Sequence, residues 1–418
     1  MHFILLHSKR GKQKMKKKSH YISGILGTYK GYLMMKKALI KYILVLVNFI
    51  PVNSIAQESN AITVIAYYPG DTAQISKYDP QKLTHIIFSF THIKGNQLSV
   101  DNATDTLTIK RLVAMKKQNS YLKVMLALGG WGGCKTCSDI FSTGKDRQEF
   151  ANSVKSLNDY FNTDGIDLDW EYPAIEGYPG HKYKTEDKKN FTALVKQLRE
   201  TLGEKQEISF AAGGFKKFLD EAIEWEPVMR FMDRVNLMSY DLVHGYSKQT
   251  GHHTPLYSTP EQTESTDNAV KNLIKMGVPP NKIVIGAAFY GRMWEDVPVE
   301  KNGLYQKGKF KSSIAFKDFD STLSVQKGFV YYWDSTANAP FLYNTREKLF
   351  VTYDDEKSIR LKTRYVVDNK LQGIMFWHLG QDKKTNGLLE VIDKEKPKTQ
   401  LNRKNVSPPY NPNKQNGN

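Results

Sequence analysis

Cysteine is nearly absent from this chain: of 418 residues only Cys134 and Cys137 carry a thiol. Spaced as Cys-Lys-Thr-Cys with no companion His or Cys set, they cannot complete a tetrahedral zinc site, and no thioredoxin-like context surrounds them. In an exported protein the pair reads as a local disulfide pinning a loop, with free thiols as the alternative. Acidic residues are missing from residues 1–57, which hold eleven Lys or Arg, and nearly missing from 394–418, where six basic residues accompany one acidic. The formal charge of +17 therefore sits at the two ends. The body between them is left at about +1, which gives no basic face for nucleic acid. The histidines, including His244, His252, His253 and His378, form no ligand-spaced set, so neither a metal nor a cofactor is expected.

No apolar run is long enough to span a bilayer; the run from Tyr42 to Ile50 suits an export signal instead. It follows Lys36, Lys37 and Lys41 and precedes Ser54-Ile55-Ala56, small residues at the positions a signal peptidase reads. Residues 1–56 are expected to be a leader cleaved after Ala56, with the true start at Met34 or Met35. The alternative is a membrane anchor with residues 1–31 as a cytoplasmic tail. The expected location is secreted or periplasmic, with no stable membrane association once the leader is gone. The stretch 394–418, rich in Pro, Asn and Lys, is expected to be disordered.

Between Ala61 and Ile392, short β-branched runs alternate with longer amphipathic segments. The strand-like runs are Ile62 to Tyr68, Leu83 to Phe90, Leu122 to Leu128, Gly165 to Trp170, Glu207 to Ala212, Arg234 to Tyr240, Lys282 to Phe289 and Leu371 to Trp377. Helical spacing marks Thr106 to Gln118, Asp146 to Phe161, Glu186 to Leu202, Ser265 to Met276 and Asp355 to Asp368. Such alternation implies parallel pairing through right-handed crossovers, and eight units close into a (β/α)8 TIM barrel over residues 57–393. An open doubly wound sheet is the alternative, but no Gly-rich phosphate loop follows the first run. Between the seventh and eighth runs the chain is too long and too aromatic for a loop, and 293–354 reads as a small α+β insertion walling one side of a cleft.

The fourth run carries the chemistry. Residues two apart on a strand share a face, so Asp167, Asp169 and Glu171 point one way while Ile166, Leu168 and Trp170 point the other. With the apolar set under the helices, the acids line the barrel lumen and Glu171 ends at the rim where barrels place their sites. Like charges this close must share protons, so the last acid can stay protonated near neutral pH, as a general acid requires. A site for a hard divalent cation uses the same residue types and remains open on periodicity alone.

The stretch Asp164-Gly-Ile-Asp-Leu-Asp-Trp-Glu171-Tyr-Pro173 resembles the Asp-x-x-Asp-x-Asp-x-Glu signature of glycoside hydrolase family 18, the chitinase family. Leu128-Gly-Gly-Trp131, Met238-Ser-Tyr240-Asp241, Tyr290-Gly-Arg292 and Met375-Phe-Trp377 extend the similarity over about residues 61–393. The resemblance implies a bacterial-type secreted chitinase working by substrate-assisted retention, an exception to the two-carboxylate scheme. Glu171 would protonate the glycosidic oxygen while the substrate's own acetamido oxygen attacks the anomeric carbon and forms an oxazolinium intermediate. Asp169 would hold the acetamido N–H, Asp167 would share a proton behind it, and Tyr240 would bind the acetamido oxygen. Trp377 would floor the sugar site. Asp241, Arg292, Tyr67, Trp131, Tyr172 and Met238 complete the expected substrate contacts, with Trp294 and Trp333 as weaker candidates for flanking sugar platforms. Where some family members place a Ser that supports the first buried Asp, this chain has Ala127.

The expected partner is chitin or an N-acetylglucosamine oligosaccharide, handled by a monomer. Two alternatives stand beside that reading: an endo-β-N-acetylglucosaminidase acting on N-glycans, and a non-catalytic chitin-binding lectin. Lectin-like members usually lose the terminal Glu, and Glu171 is present.

Overall fold

The computed structural model describes residues 61–397. The expected leader and most of the expected polar tail lie outside the described residues. The first strands are β1 (Thr63–Tyr68), β2 (His85–Lys94), β3 (Gln97–Ser99), β4 (Lys123–Gly129) and β5 (Gly165–Asp169). After them come β6 (Glu207–Gly213), β7 (Arg234–Met238), β8 (Ile283–Ala288) and, late in the chain, β14 (Gly373–Trp377). All of these except β3 pair in parallel, and β1 bonds both β2 and β14, which closes an eight-stranded barrel. β3 is a short antiparallel return on the end of β2.

Helices form the crossovers: α1 (Ala103–Ala114), α2 (Gly144–Phe161), α3 (Asp187–Leu202), α4 (Thr266–Lys275), α5 (Glu356–Asp368) and α6 (Leu388–Glu395). Four of the six starts are capped by short polar side chains that accept orphan amides: Asn102 from Asp105, Thr143 from Asp146, Ser265 from Asn268, and Asp355 with Ser358 in a capping box. Each of the five expected helices is present within four residues of its expected ends. α6 was not anticipated, and it carries structure two residues past Asp393.

Strand parity divides the core. Ile166 and Leu168 belong with Val64, Phe88, Leu126, Phe210 and Phe376 in the large cluster under the helices. The opposite faces place Ile65, Tyr67, Ile87, Met125, Ala127, Val284 and Met375 inside the barrel. At the N-terminal end of the lumen the opening residues of three strands meet: His85, Glu207 and Arg234. Arg234 is ion-paired to Glu207, and His85 Nε2 lies 2.9 Å from Glu207 Oε2.

β8 passes through Phe289 straight into β9 (Tyr290–Glu295), the first strand of a second sheet with β10 (Lys309–Ala315), β11 (Val330–Asp334), β12 (Ala339–Asn344) and β13 (Leu349–Thr352). Its order is β10-β9-β13-β12-β11, antiparallel throughout. Trp294, Val297, Phe341, Tyr343 and Phe350 give it an apolar core of its own. A fully buried Lys362–Asp354 pair ties it to the barrel: Asp354 Oδ2 accepts from the Ala288 amide at 3.0 Å and from Thr254 at 3.2 Å.

Candidate active site

Strand pairing brings the residues to the C-terminal mouth of the barrel. β5 pairs Asp167 with Ala127 on one side and Ser209 on the other, and Asp169 with Gly129. Asp167 is completely buried and its charge is met by neutral donors: Ser209 Oγ (2.6 Å) and Asn236 Nδ2 (3.0 Å) on Oδ1, and the Tyr67 hydroxyl (2.9 Å) on Oδ2. Burial raises its pKa, and Ser209, Tyr67, Arg234 and Asn236 pull it back. These donors surround Asp167 as they would an anion held by hydrogen bonds, unlike a metal ligand.

Asp169 differs. Burial raises its pKa well above the carboxylate range, helped by Glu171 and Asp167, and its Oδ1 is buried with no hydrogen-bond partner. The neighbouring Asp169 and Glu171 carboxylates repel one another, and one proton shared between them relieves that repulsion. Glu171 lies just past the end of β5 and is 9% exposed. Its pKa is pushed up to about 7 by burial and by the Asp241 charge, with the nearby Tyr172 and Asp169 side chains pulling it the other way.

The other expected residues fall around this pair. Tyr240 stands two residues beyond the end of β7, although the sequence extended that strand to it, and meets Tyr290 edge-on at 6.3 Å. Asp241 accepts from Arg292 Nε at 2.8 Å and from its second guanidinium nitrogen, and lies 3.4 Å from His253 Nδ1. Burial opposes its charge, but His253 and Arg292 hold its carboxyl well below the usual range. Trp377 ends β14 half-buried, stacked on Phe90 at 5.6 Å and 18° and tilted against Tyr67 at 6.0 Å. Met238 packs half-buried against the inner cluster. Tyr172 is half-buried, its ring edge-on to Phe215 (5.4 Å) and Phe218 (5.2 Å) and tilted against Trp131 at 6.3 Å. Trp131 stands 47% exposed at the rim, edge-on to Tyr178 at 5.6 Å.

Two expectations are corrected. Trp294 is fully buried in the core of the second sheet and cannot offer a face to a sugar. Trp333 is half-buried with the Lys357 ammonium 3.7 Å over its ring, so that face is already covered. The missing hydroxyl at Ala127 is supplied by Ser209, from the neighbouring strand on the other side. Ser209, Asn236, Phe90 and His253 were not singled out from sequence. For the first two a signal was present: Ile208-Ser209-Phe210 and Val235-Asn236-Leu237 each place one polar residue at a lumen-facing position in an apolar strand. Cys134 and Cys137 are joined in a disulfide in the loop after β4.

A protein-family model described as Glycosyl hydrolases family 18 matches residues 63–382. This chain belongs to that family. Chitinase A1 of Niallia circulans is 29% identical over 403 residues, covering 78% of this chain but only 58% of that relative. Chitinase B of Serratia marcescens is 28% identical over 435 residues, with 86% and 84% covered. Among solved structures, a glycoside hydrolase family 18 N-acetylglucosaminidase from Paenibacillus barengoltzii superimposes with a TM-score of 0.73 at 35% identity, over 80% of this chain and 99% of that one. The family also holds the oviduct-specific glycoprotein of Mus musculus, 30% identical over 73% of this chain and 44% of its own length. Membership thus establishes the chitinase family and its barrel, and among the described residues no helix is long and apolar enough to cross a membrane.

Proposed function

We propose that this protein hydrolyses β-1,4-linked N-acetylglucosamine polymers and oligomers by substrate-assisted retention, and that it does so outside the cytoplasm after a leader is removed near Ala56. The observation that carries the reading is the buried Asp169 Oδ1 without a partner. A buried acceptor left unpaired costs about 1–3 kcal/mol, and an acetamido N–H arriving with the substrate would satisfy it.

In the first step Glu171 gives its proton to the glycosidic oxygen as the C1–O bond breaks, and the acetamido carbonyl oxygen bonds to C1. Asp169 accepts the acetamido N–H and its charge balances the oxazolinium cation, while Tyr240 donates to the acetamido oxygen. In the second step Glu171, now ionised, takes a proton from the water that attacks C1, and the acetamido oxygen departs. A pKa near 7 suits a group that gives and then recovers one proton at neutral pH.

The test is to incubate the protein and its Glu171→Gln form with chitin oligosaccharides and with a high-mannose glycopeptide. Cleavage of the oligosaccharides with the β anomer appearing first is expected, and loss of it in the variant. Cleavage of the glycopeptide alone would replace this reading with the N-glycan one; binding without any cleavage would make the protein a lectin.

A further inference from the structure

Beside the acid pair, the rim carries a cavity of about 610 Å³ whose chemistry is opposite in sign. It opens between the end of β2, the turn after β4 and the loop after β5, and is walled by Phe90, Trp131 and Tyr178. Its polar side chains are Lys135, His92 and His181, and no carboxylate lines it. Two nearby acids are already engaged: Asp101 lies 2.6 Å from His92 Nδ1, and Asp139 is ion-paired to Lys182 and Lys184 at 2.9 Å each, while Glu176, two residues before Tyr178, stands exposed outside the lining. Lys135 makes no ion pair among the described residues.

The turn adds donors of its own. Gly130 and Gly132 have φ of +79° and +91°, and at either position a side chain would strain the backbone. Gly133 must also lack one, because a Cβ there would sit 1.9 Å from the Gly129 carbonyl. This path leaves the amides of Trp131, Gly132 and Lys135 without an acceptor among the described residues, and turns of successive free amides are concave anion sites. The Cys134–Cys137 disulfide closes the loop from which Lys135 projects.

We infer that this cavity is a subsite for a carboxylate on the substrate, so that the protein favours N-acetylhexosamine chains bearing an acidic substituent over wholly neutral chitin. The inference rests on the proposed hydrolysis and narrows its substrate class. Trp131 would stack on the sugar ring while Lys135 and the turn amides receive the carboxylate a few ångströms beyond it. Aromatic platform and cation together give selectivity that neither supplies alone.

The experiment compares kcat/KM for chitohexaose and for the same hexamer oxidised to the carboxylate at C6, at low salt and at 0.5 M salt (~0.5 M suffices to screen an exposed pair). The wild type should prefer the carboxylated hexamer. Lys135→Gln should lose roughly three- to fivefold on that substrate, the size of one exposed ion pair, and nothing on chitohexaose. Lys135→Arg should restore the preference, and high salt should erase it. Equal rates on both hexamers with no effect of Lys135→Gln would overturn the inference while leaving the hydrolase reading intact. If neither hexamer is cleaved, the hydrolase reading fails, and titration of both into the Glu171→Gln protein decides this one: equal affinity refutes the subsite, tighter binding of the acidic hexamer upholds it.

Discussion

The two ends of the barrel lumen treat buried charge in opposite ways. At the N-terminal end Glu207 is flanked by Arg234 and His85; burial works against its charge, but His85 and Arg234 hold its carboxyl well below the usual range. The His85 ring, desolvated and beside Arg234, is pushed down to about 4. At the C-terminal end no cation among the described residues touches Asp169 or Glu171; burial drives both pKa values up, and among those residues Asp169 Oδ1 has no hydrogen-bond partner. One end is compensated and the other is not. Barrels of this kind generally keep stability at the first end and chemistry at the second.

The largest break in this contrast should come from Glu171→Gln. Activity on chitin oligosaccharides should fall by about a thousandfold or more, while the melting temperature should hold or rise, since a neutral amide removes a buried acid. A fall in melting temperature would mean that Glu171 is compensated after all. Asp169→Asn should cost about a hundredfold in kcat, the size of a lost charge contact to the transition state, and should shift the alkaline limb of the pH–rate profile, because Asp169 and Glu171 titrate as a pair. An unchanged limb would separate the two carboxyls.

At the other end, Glu207→Gln should leave kcat of the folded enzyme nearly intact and destabilise the protein by about 3–5 kcal/mol, the cost of stranding Arg234 in the interior, as read by urea unfolding. The smallest effect is the sharpest comparison. A carboxyl whose pKa rises on folding from 4.5 to about 7, as at Glu171, costs stability as pH climbs through that window. Glu207, depressed from 4.5, and His85, depressed from 6.5 to about 4, both cost stability as pH falls, from about pH 6.5 downward for the histidine and below about 4.5 for the carboxylate. The melting temperature should therefore fall on both sides of a mildly acidic to neutral maximum, and Glu171→Gln should remove the loss incurred between about pH 4.5 and 7 while leaving the losses from His85 and Glu207 at lower pH. The same Glu171 proton predicts activity declining above about pH 7.

The barrel was legible in the sequence because each strand writes its own burial. Ile166 and Leu168 against Asp167 and Asp169 fix inside and outside with nothing but a period of two. The acids were legible for the same reason, whereas Tyr67, Tyr240, Asp241, Arg292 and Trp377 were picked out only by the family resemblance. The errors have a common physical origin. Trp294 and Trp333 were candidates because an aromatic residue reads alike whether it faces a sugar or a core, and only the pairing of β9 with β10 and β13 buries Trp294.

Local pattern thus determined which residues are acids of one face, which end of the barrel they reach, and that a small sheet interrupts the last crossover. Periodicity is a property of neighbours along the chain, so it survives without a fold. Pairing of distant charges does not. That Asp167 is met by Ser209 and Asn236 in place of a hydroxyl at Ala127, that Glu207 finds Arg234 and His85 while Asp169 finds only Glu171, and that Lys135 faces a cavity with no carboxylate were decided by closure of the barrel. Closure brings strands from across the chain to within a hydrogen bond, and it alone sets which buried charges are answered.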